Sequence, residues 1–163
     1  MDSEIVFNKD FEERSAFVMK TFDAQVSEVW DYFSVADLLD QWWAPEPWKC
    51  ETLTMDFQEN GKWHYAMVSP ESEKVYGLVS FGSIMQHRSI EWMDDFADEK
   101  GNSQNSNLAC NWLIGFTGVE EGTKLTVNIH FPSEDAMNKI FEMGFEEGFR
   151  MTLNQLENLL EKT

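Results

Sequence analysis

SEDAMNKIFEMGFEEGFRMTLNQLENLLEK, residues 133–162, reads as one long amphipathic helix with two glycines, Gly144 and Gly148, one turn apart on its apolar side. Ser133 is a good N-cap, Glu134 and Asp135 put carboxylates where the helix dipole favours them, and Pro132 closes the preceding strand. At about 100 degrees per residue, Met137, Ile140, Phe141, Phe145, Gly148, Phe149, Met151, Leu153, Leu156, Leu159 and Leu160 cover about 220 degrees. A helix on a flat surface needs only about 100 degrees, so this one is expected to be wrapped on most sides. Lys139, Glu146, Glu147, Arg150, Asn154, Glu157 and Glu161 are left as one narrow solvated strip. A glycine in a helix interior costs about 1 kcal/mol relative to alanine. Two in the principal core helix require either a very close approach by a sheet or room left for something else.

Upstream, residues 50–131 alternate strand-like runs with turn clusters at 58–61, 69–74, 98–107 and 120–123, enough for five or six strands. Leu125, Val127, Ile129 and Phe131 alternate with Thr126, Asn128 and His130, giving one buried and one wet face. Three more inward rows are Leu108, Cys110, Trp112, Ile114 and Phe116, then Trp63, Tyr65 and Met67, then Ile90, Trp92, Asp94 and Phe96. Before the meander, a strand over residues 15–22 leads into two short helices, marked by Val26, Val29, Trp30 and Phe33 and, after a break near Ser34, by Leu38, Leu39 and Trp42. Pro45 and Pro47 stop the second helix. Residues 1–13 form an N-terminal extension that pairs at a sheet edge or frays, and residues 14–163 a single domain. These elements specify an α+β architecture, a curved antiparallel sheet around the terminal helix, with residual volume that is the default site for a small molecule.

The chain has 163 residues, with 30 Asp and Glu against 12 Lys and Arg, and a net charge of −18 that repels phosphate backbones and anionic membrane surfaces. Nucleic acid is therefore excluded as a partner class, whereas a basic protein could dock on the acidic surface. No stretch reaches about eighteen apolar residues, and a start bearing Asp2 and Glu4 resembles neither a signal nor a transit peptide, so a cytoplasmic location without membrane insertion is the expectation. Cys50 and Cys110 match no metal spacing and read as buried thiols. His64 and His130 lie opposite the inward rows, and with His87 far from both, exposed side chains are expected rather than metal ligation. Asp94, Asp95, Asp98 and Glu99 with Asn102 lack the spacing of a calcium loop. No nucleophile elbow, phosphate-cradling loop or dinucleotide fingerprint is present, and no cofactor is implied.

The candidate site residues are aromatic. Trp42 and Trp43 point about 100 degrees apart at a helix end, so one can bury while Trp43 faces a cavity mouth. Trp63, Tyr65, Trp92 and Trp112 are core or cavity wall, and each polar N–H or O–H among them needs a partner. From the terminal helix, Phe141, Gly144, Phe145 and Gly148 complete the wall. Gln155, centred in the apolar arc, is either hydrogen-bonded to a neighbouring segment or a polar anchor for a ligand. Asp94 is an inward carboxylate with a raised pKa or, as strand-end acids more often do, has turned outward; the outward position is the expectation.

Several stretches together resemble a known family: TFDAQVSEVW (21–30), DQWWAP (40–45), GKWHYAM (61–67), Gly77, DDFADEKGN (94–102) and FPSEDAMNKIFEMGFEEGFRMTLNQL (131–156). They resemble, in order and over all but the N-terminal extension, the activator of heat-shock protein 90 ATPase homologue family of the START-like helix-grip superfamily. The resemblance implies a seven-stranded helix-grip domain with a cavity, no shared catalytic set, and a link to a chaperone through eukaryotic relatives that carry an additional N-terminal domain. Asn60 stands where the family usually has a glycine, in a turn that asparagine also tolerates, and Gln25 stands where a proline is common. Three readings follow: a domain binding a small hydrophobic or aromatic molecule, which leads; a protein-interaction module or co-chaperone-like regulator; and an enzyme using Asp94 or Tyr65 as acid or base.

Overall fold

A computed structural model of the chain describes residues 4–104 and 107–161. Residues 1–3 of the N-terminal extension, 105–106 of the expected 98–107 loop, and 162–163 lie outside the described residues. The strands are β1 (Val6–Asp10), β2 (Ser15–Phe22), β3 (Lys49–Met55), β4 (Lys62–Val68), β5 (Lys74–Met85), β6 (Ser89–Ala97), β7 (Cys110–Val119) and β8 (Gly122–His130). The helices are α1 (Val26–Ser34), α2 (Ala36–Leu39), α3 (Glu134–Glu142) and α4 (Phe145–Glu161). All strands join one antiparallel sheet in the order β1-β2-β8-β7-β6-β5-β4-β3. Consecutive strands from β3 to β8 pair as a meander, and α1 and α2 fill the crossover from β2 to the far edge.

One expectation about the sheet is corrected: it has eight strands rather than seven. With β1 and β3 as its edges it is open, not closed into a barrel. The eighth strand comes from the N-terminal extension, which pairs from Val6 opposite Met19 to Asp10 opposite Ser15. It is held there by side chains as well as by the ladder. The Phe7 ring lies edge-on to Phe141 and Phe145, 6.1 and 6.2 Å away, and the Lys9 ammonium donates to Glu146 at 2.7 Å.

The long terminal helix is also two helices. Ser133 caps α3 as expected, its hydroxyl accepting from the Ala136 N–H at 3.0 Å. Gly144 then adopts φ +92°, a left-handed conformation that terminates α3 and starts α4 in a new direction. The first glycine is thus explained by a change of chain direction. Only Gly148 lies in a helix interior.

Helix α4 buries Phe149, Leu153, Leu156 and Leu160 in a core shared with Val18, Val127 and Ile129. Of the arc assigned to solvent, Lys139, Glu147, Asn154 and Glu161 are exposed, whereas three residues are partly or fully covered. Glu146 is held by Lys9, Arg150 lies 5.4 Å from the Phe7 ring, and Glu157 is buried against Lys20 of β2 at 3.2 Å. The β1–β2 end of the sheet extends over this side of the helix. At the turn before β4, Asn60 has φ +70°, the left-handed conformation for which asparagine substitutes best.

Candidate functional site

A cavity of about 310 Å³ lies between the α3–α4 junction, the segment after α2 and the inner faces of β4 to β8. Tyr65, Gly77, Asp94, Cys110 and Trp112 contribute from the sheet, Trp43 and Pro45 from the post-α2 segment, and Gly144, Phe145, Gly148, Phe149 and Thr152 from the helical side. Val75 and Met143, 44% and 59% exposed, stand at its mouth. Among the described residues, no lysine, arginine or histidine lines it.

The alternation of β4 aims Trp63 and Tyr65 inward. Tyr65 lies directly opposite Gly77 of β5, and a Cβ on Gly77 would clash with the Tyr65 Cζ and hydroxyl oxygen. Glycine at this position lets the phenol lie flat across β5 and bring its hydroxyl to Asp94 Oδ1, 3.2 Å away. Asp94 therefore points inward, correcting the outward expectation, because β6 keeps its alternation from Ile90 through Trp92 to this residue. Burial pushes the Asp94 carboxyl up to about 7, with the bond from Tyr65 opposing and the Asp95 charge reinforcing the shift. Burial, and then the Asp94 charge, also push the Tyr65 phenol well above its ordinary value.

The Asp94 shift makes stability depend on pH. A carboxyl titrating near 7 in the folded chain and near 3.8 when unfolded binds more protons in the folded state between those values, so its burial costs stability as pH rises through that window. Asp94→Asn keeps an oxygen for Tyr65 and removes this penalty. The variant should match the parent in urea unfolding near pH 4 and exceed it near pH 8. A constant difference between the two pH values would contradict the assignment.

Trp42 and Trp43 divide as their spacing suggests. The Trp42 indole donates to the Tyr32 carbonyl at 2.9 Å, deep in the core. Trp43, 5% exposed, reaches the cavity and lies 5.5 to 5.9 Å from the rings of Trp63, Trp92 and Trp112. Its N–H lies near the Tyr65 hydroxyl but has no hydrogen-bond partner among the described residues.

Four expected wall residues lie elsewhere. Trp63 donates to Thr52 Oγ1 at 3.0 Å, within the core. Trp92 packs behind Trp43 and Trp112, at 5.6 and 5.8 Å. Phe141 sits among Phe7, Phe11 and Phe131. Gln155 is a structural clamp: its amide donates to the carbonyls of Trp42 and Ala44 at 3.2 and 2.9 Å, and its oxygen accepts from the Glu46 N–H at 2.9 Å. By holding that segment it positions Trp43.

The sequence reading missed Gly77 as a wall residue and Pro45, which sits opposite Gly148. Gly77 could have been found as a glycine in mid-strand, where one often marks close approach of another group. His64 is also corrected. It is buried because residues 98–101 fold over the outer face of β4, with its Nε2 3.0 Å from the Asp98 carbonyl. Burial raises the Cys110 thiol to about 12 and Cys50 further still, so neither is a ready nucleophile.

Residues 23–161 match the model of the family described as activator of Hsp90 ATPase homolog 1-like protein. The chain belongs to this family. A protein from Arthrobacter aurescens, solved in solution by NMR, is 32% identical, with 97% of this chain and 92% of that one covered and a TM-score of 0.91. A Staphylococcus epidermidis protein is 27% identical over 96% of this chain and 94% of that one, with a TM-score of 0.84. A crystal structure from Mycobacterium smegmatis, 24% identical over 98% and 99% with a TM-score of 0.88, shares the fold. No curated protein matches the chain. Domains of the activator of Hsp90 ATPase homolog 1-like family are typically ligand-binding, and the cavity lies beneath the terminal helices that grip the sheet in this family's fold. No helix among the described residues is long and apolar enough to cross a membrane.

Proposed function

We propose that the chain binds a small molecule with an apolar or aromatic body in this cavity, with the polar end of the ligand at Tyr65 and Asp94. The observation that carries the reading is Gly148. A Cβ there would meet only Pro45 Cγ, at an ordinary 3.7 Å, so close packing does not require a glycine. The helix accepts a penalty of about 1 kcal/mol at a position that lines the cavity beside Pro45. Room for a guest accounts for it.

Gly148→Leu tests this directly. Leucine restores helix propensity and places four carbons toward the cavity, so thermal stability should be equal or higher, while binding of a neutral apolar fluorophore such as Nile red should fall at least about tenfold, the equivalent of about 1.4 kcal/mol. Undiminished dye affinity in a folded variant would place the site elsewhere.

A further inference from the structure

The walls of the cavity have one sign of charge. Asp94 is its inward carboxylate, and Oδ1 is engaged by Tyr65, whereas no described group donates to Oδ2. The neighbouring Asp95, at the rim, has turned its carboxylate to the Phe96 N–H at 2.8 Å and the Ser103 hydroxyl at 2.5 Å. From the adjacent strand Asp94 is faced by Cys110, and from β5 by Val79. Among the described residues no lysine, arginine or histidine lines the wall to balance it, and the whole chain carries −18.

The same cavity is lined by the rings of Trp43, Tyr65, Trp112, Phe145 and Phe149. Trp112 lies 6.1 and 5.4 Å from the two phenylalanine rings, and these two stack with 11° between their planes. Aromatic rings attract cations through their negative faces, and the attraction is strongest where water is excluded. A half-buried carboxylate with one oxygen unengaged adds a full charge, whereas a carboxylic or phosphoric acid would meet that charge with no lysine or arginine among the described lining residues to offset it.

The geometry points to an organic cation as the guest: an apolar or aromatic molecule carrying an ammonium group, with the cation held between Asp94 Oδ2 and the Trp43 and Trp112 rings. This inference rests on the cavity reading above and narrows it to one ligand chemistry. It distinguishes the chain from a carrier of fatty acids or aromatic acids.

Three probes of similar shape separate the possibilities: (2-phenylethyl)trimethylammonium, its neutral carbon isostere (3,3-dimethylbutyl)benzene, and 4-phenylbutyrate. Each is titrated at pH 8.5, where Asp94 is ionised, with the indole N–H signals of Trp43 and Trp112 followed by NMR. The ammonium compound should bind about tenfold or more tightly than the isostere, and the carboxylate more weakly than both. In Asp94→Asn the advantage of the cation over the isostere should shrink to what the aromatic rings alone supply.

An isostere that binds as tightly as the cation, a carboxylate that binds most tightly, or a cation preference that survives Asp94→Asn undiminished overturns the charge assignment and leaves the cavity reading standing. If no probe binds, or if all bind equally well to Gly148→Leu, the cavity reading falls and this inference with it.

Discussion

Lys20→Met should lower folding stability by about 3–5 kcal/mol, the cost of leaving a buried charge after its partner is removed. Lys20 lies on the inward face of β2, between Val18 and Phe22, with its side chain fully buried and its ammonium 3.2 Å from Glu157, whose side chain is 5% exposed. The ammonium also lies 5.6 Å from the Phe22 ring. Methionine keeps the length of the lysine stem, so packing is nearly conserved and the measured loss reports on the charge. The double variant Lys20→Met with Glu157→Leu removes both charges and should recover most of that loss, because two apolar groups pack where two ions had to be desolvated. Urea unfolding of the single and double variants forms a double-mutant cycle. A single variant that costs less than about 1 kcal/mol would show that the pair is hydrated and contributes as a surface pair does.

The second large effect is at Gly77. An alanine there would drive its methyl against the hydroxyl end of the Tyr65 phenol, and the two residues are directly opposite on neighbouring strands, so backbone and phenol cannot both stay. If Tyr65 gives way it leaves Asp94 and also its stack on Trp63, 4.4 Å between centroids. Overpacking of this kind costs about 1–3 kcal/mol, and the site is lost with it. Without the hydrogen bond that lowers its pKa, Asp94 should titrate above about 7, by carboxyl NMR, in Gly77→Ala. Retention of both the parent's Asp94 titration and its stability would mean that the sheet can open at this point to admit a methyl group. The combination with Tyr65→Leu should restore stability while leaving the raised titration in place, which separates the packing effect from the electrostatic one.

Much of this architecture is legible in the residues themselves. The period-two rows on residues 63–67, 90–96, 108–116 and 125–131 place one face inward on four strands, and the structure keeps all four rows at least partly buried. The helix start at Ser133 is set by a side chain three residues from the N–H it accepts. The division of labour between Trp42 and Trp43 follows from adjacency on a turn. The resemblance added the family, and the family model matches over the core of the domain.

The misread residues share one cause. His64 lies on the outer face of its strand and reads as exposed until residues 98–101 return to cover it. Glu157 reads as solvated until Lys20, far away in the chain, arrives opposite. Gln155 is left between a clamp, the favoured reading, and a ligand anchor until three backbone groups between Trp42 and Glu46 converge on its amide.

By itself, then, the sequence determined the fold class, the strand faces and the aromatic character of the interior, since periodicity and capping depend on residues only a few positions apart. Tertiary structure alone decided that Gly144 would turn the chain, that the N-terminal extension would become an eighth strand, and that Asp94 would end in an aromatic-lined cavity. Those outcomes depend on which distant segment covers a given face, and a local pattern specifies that a face is apolar without specifying its partner.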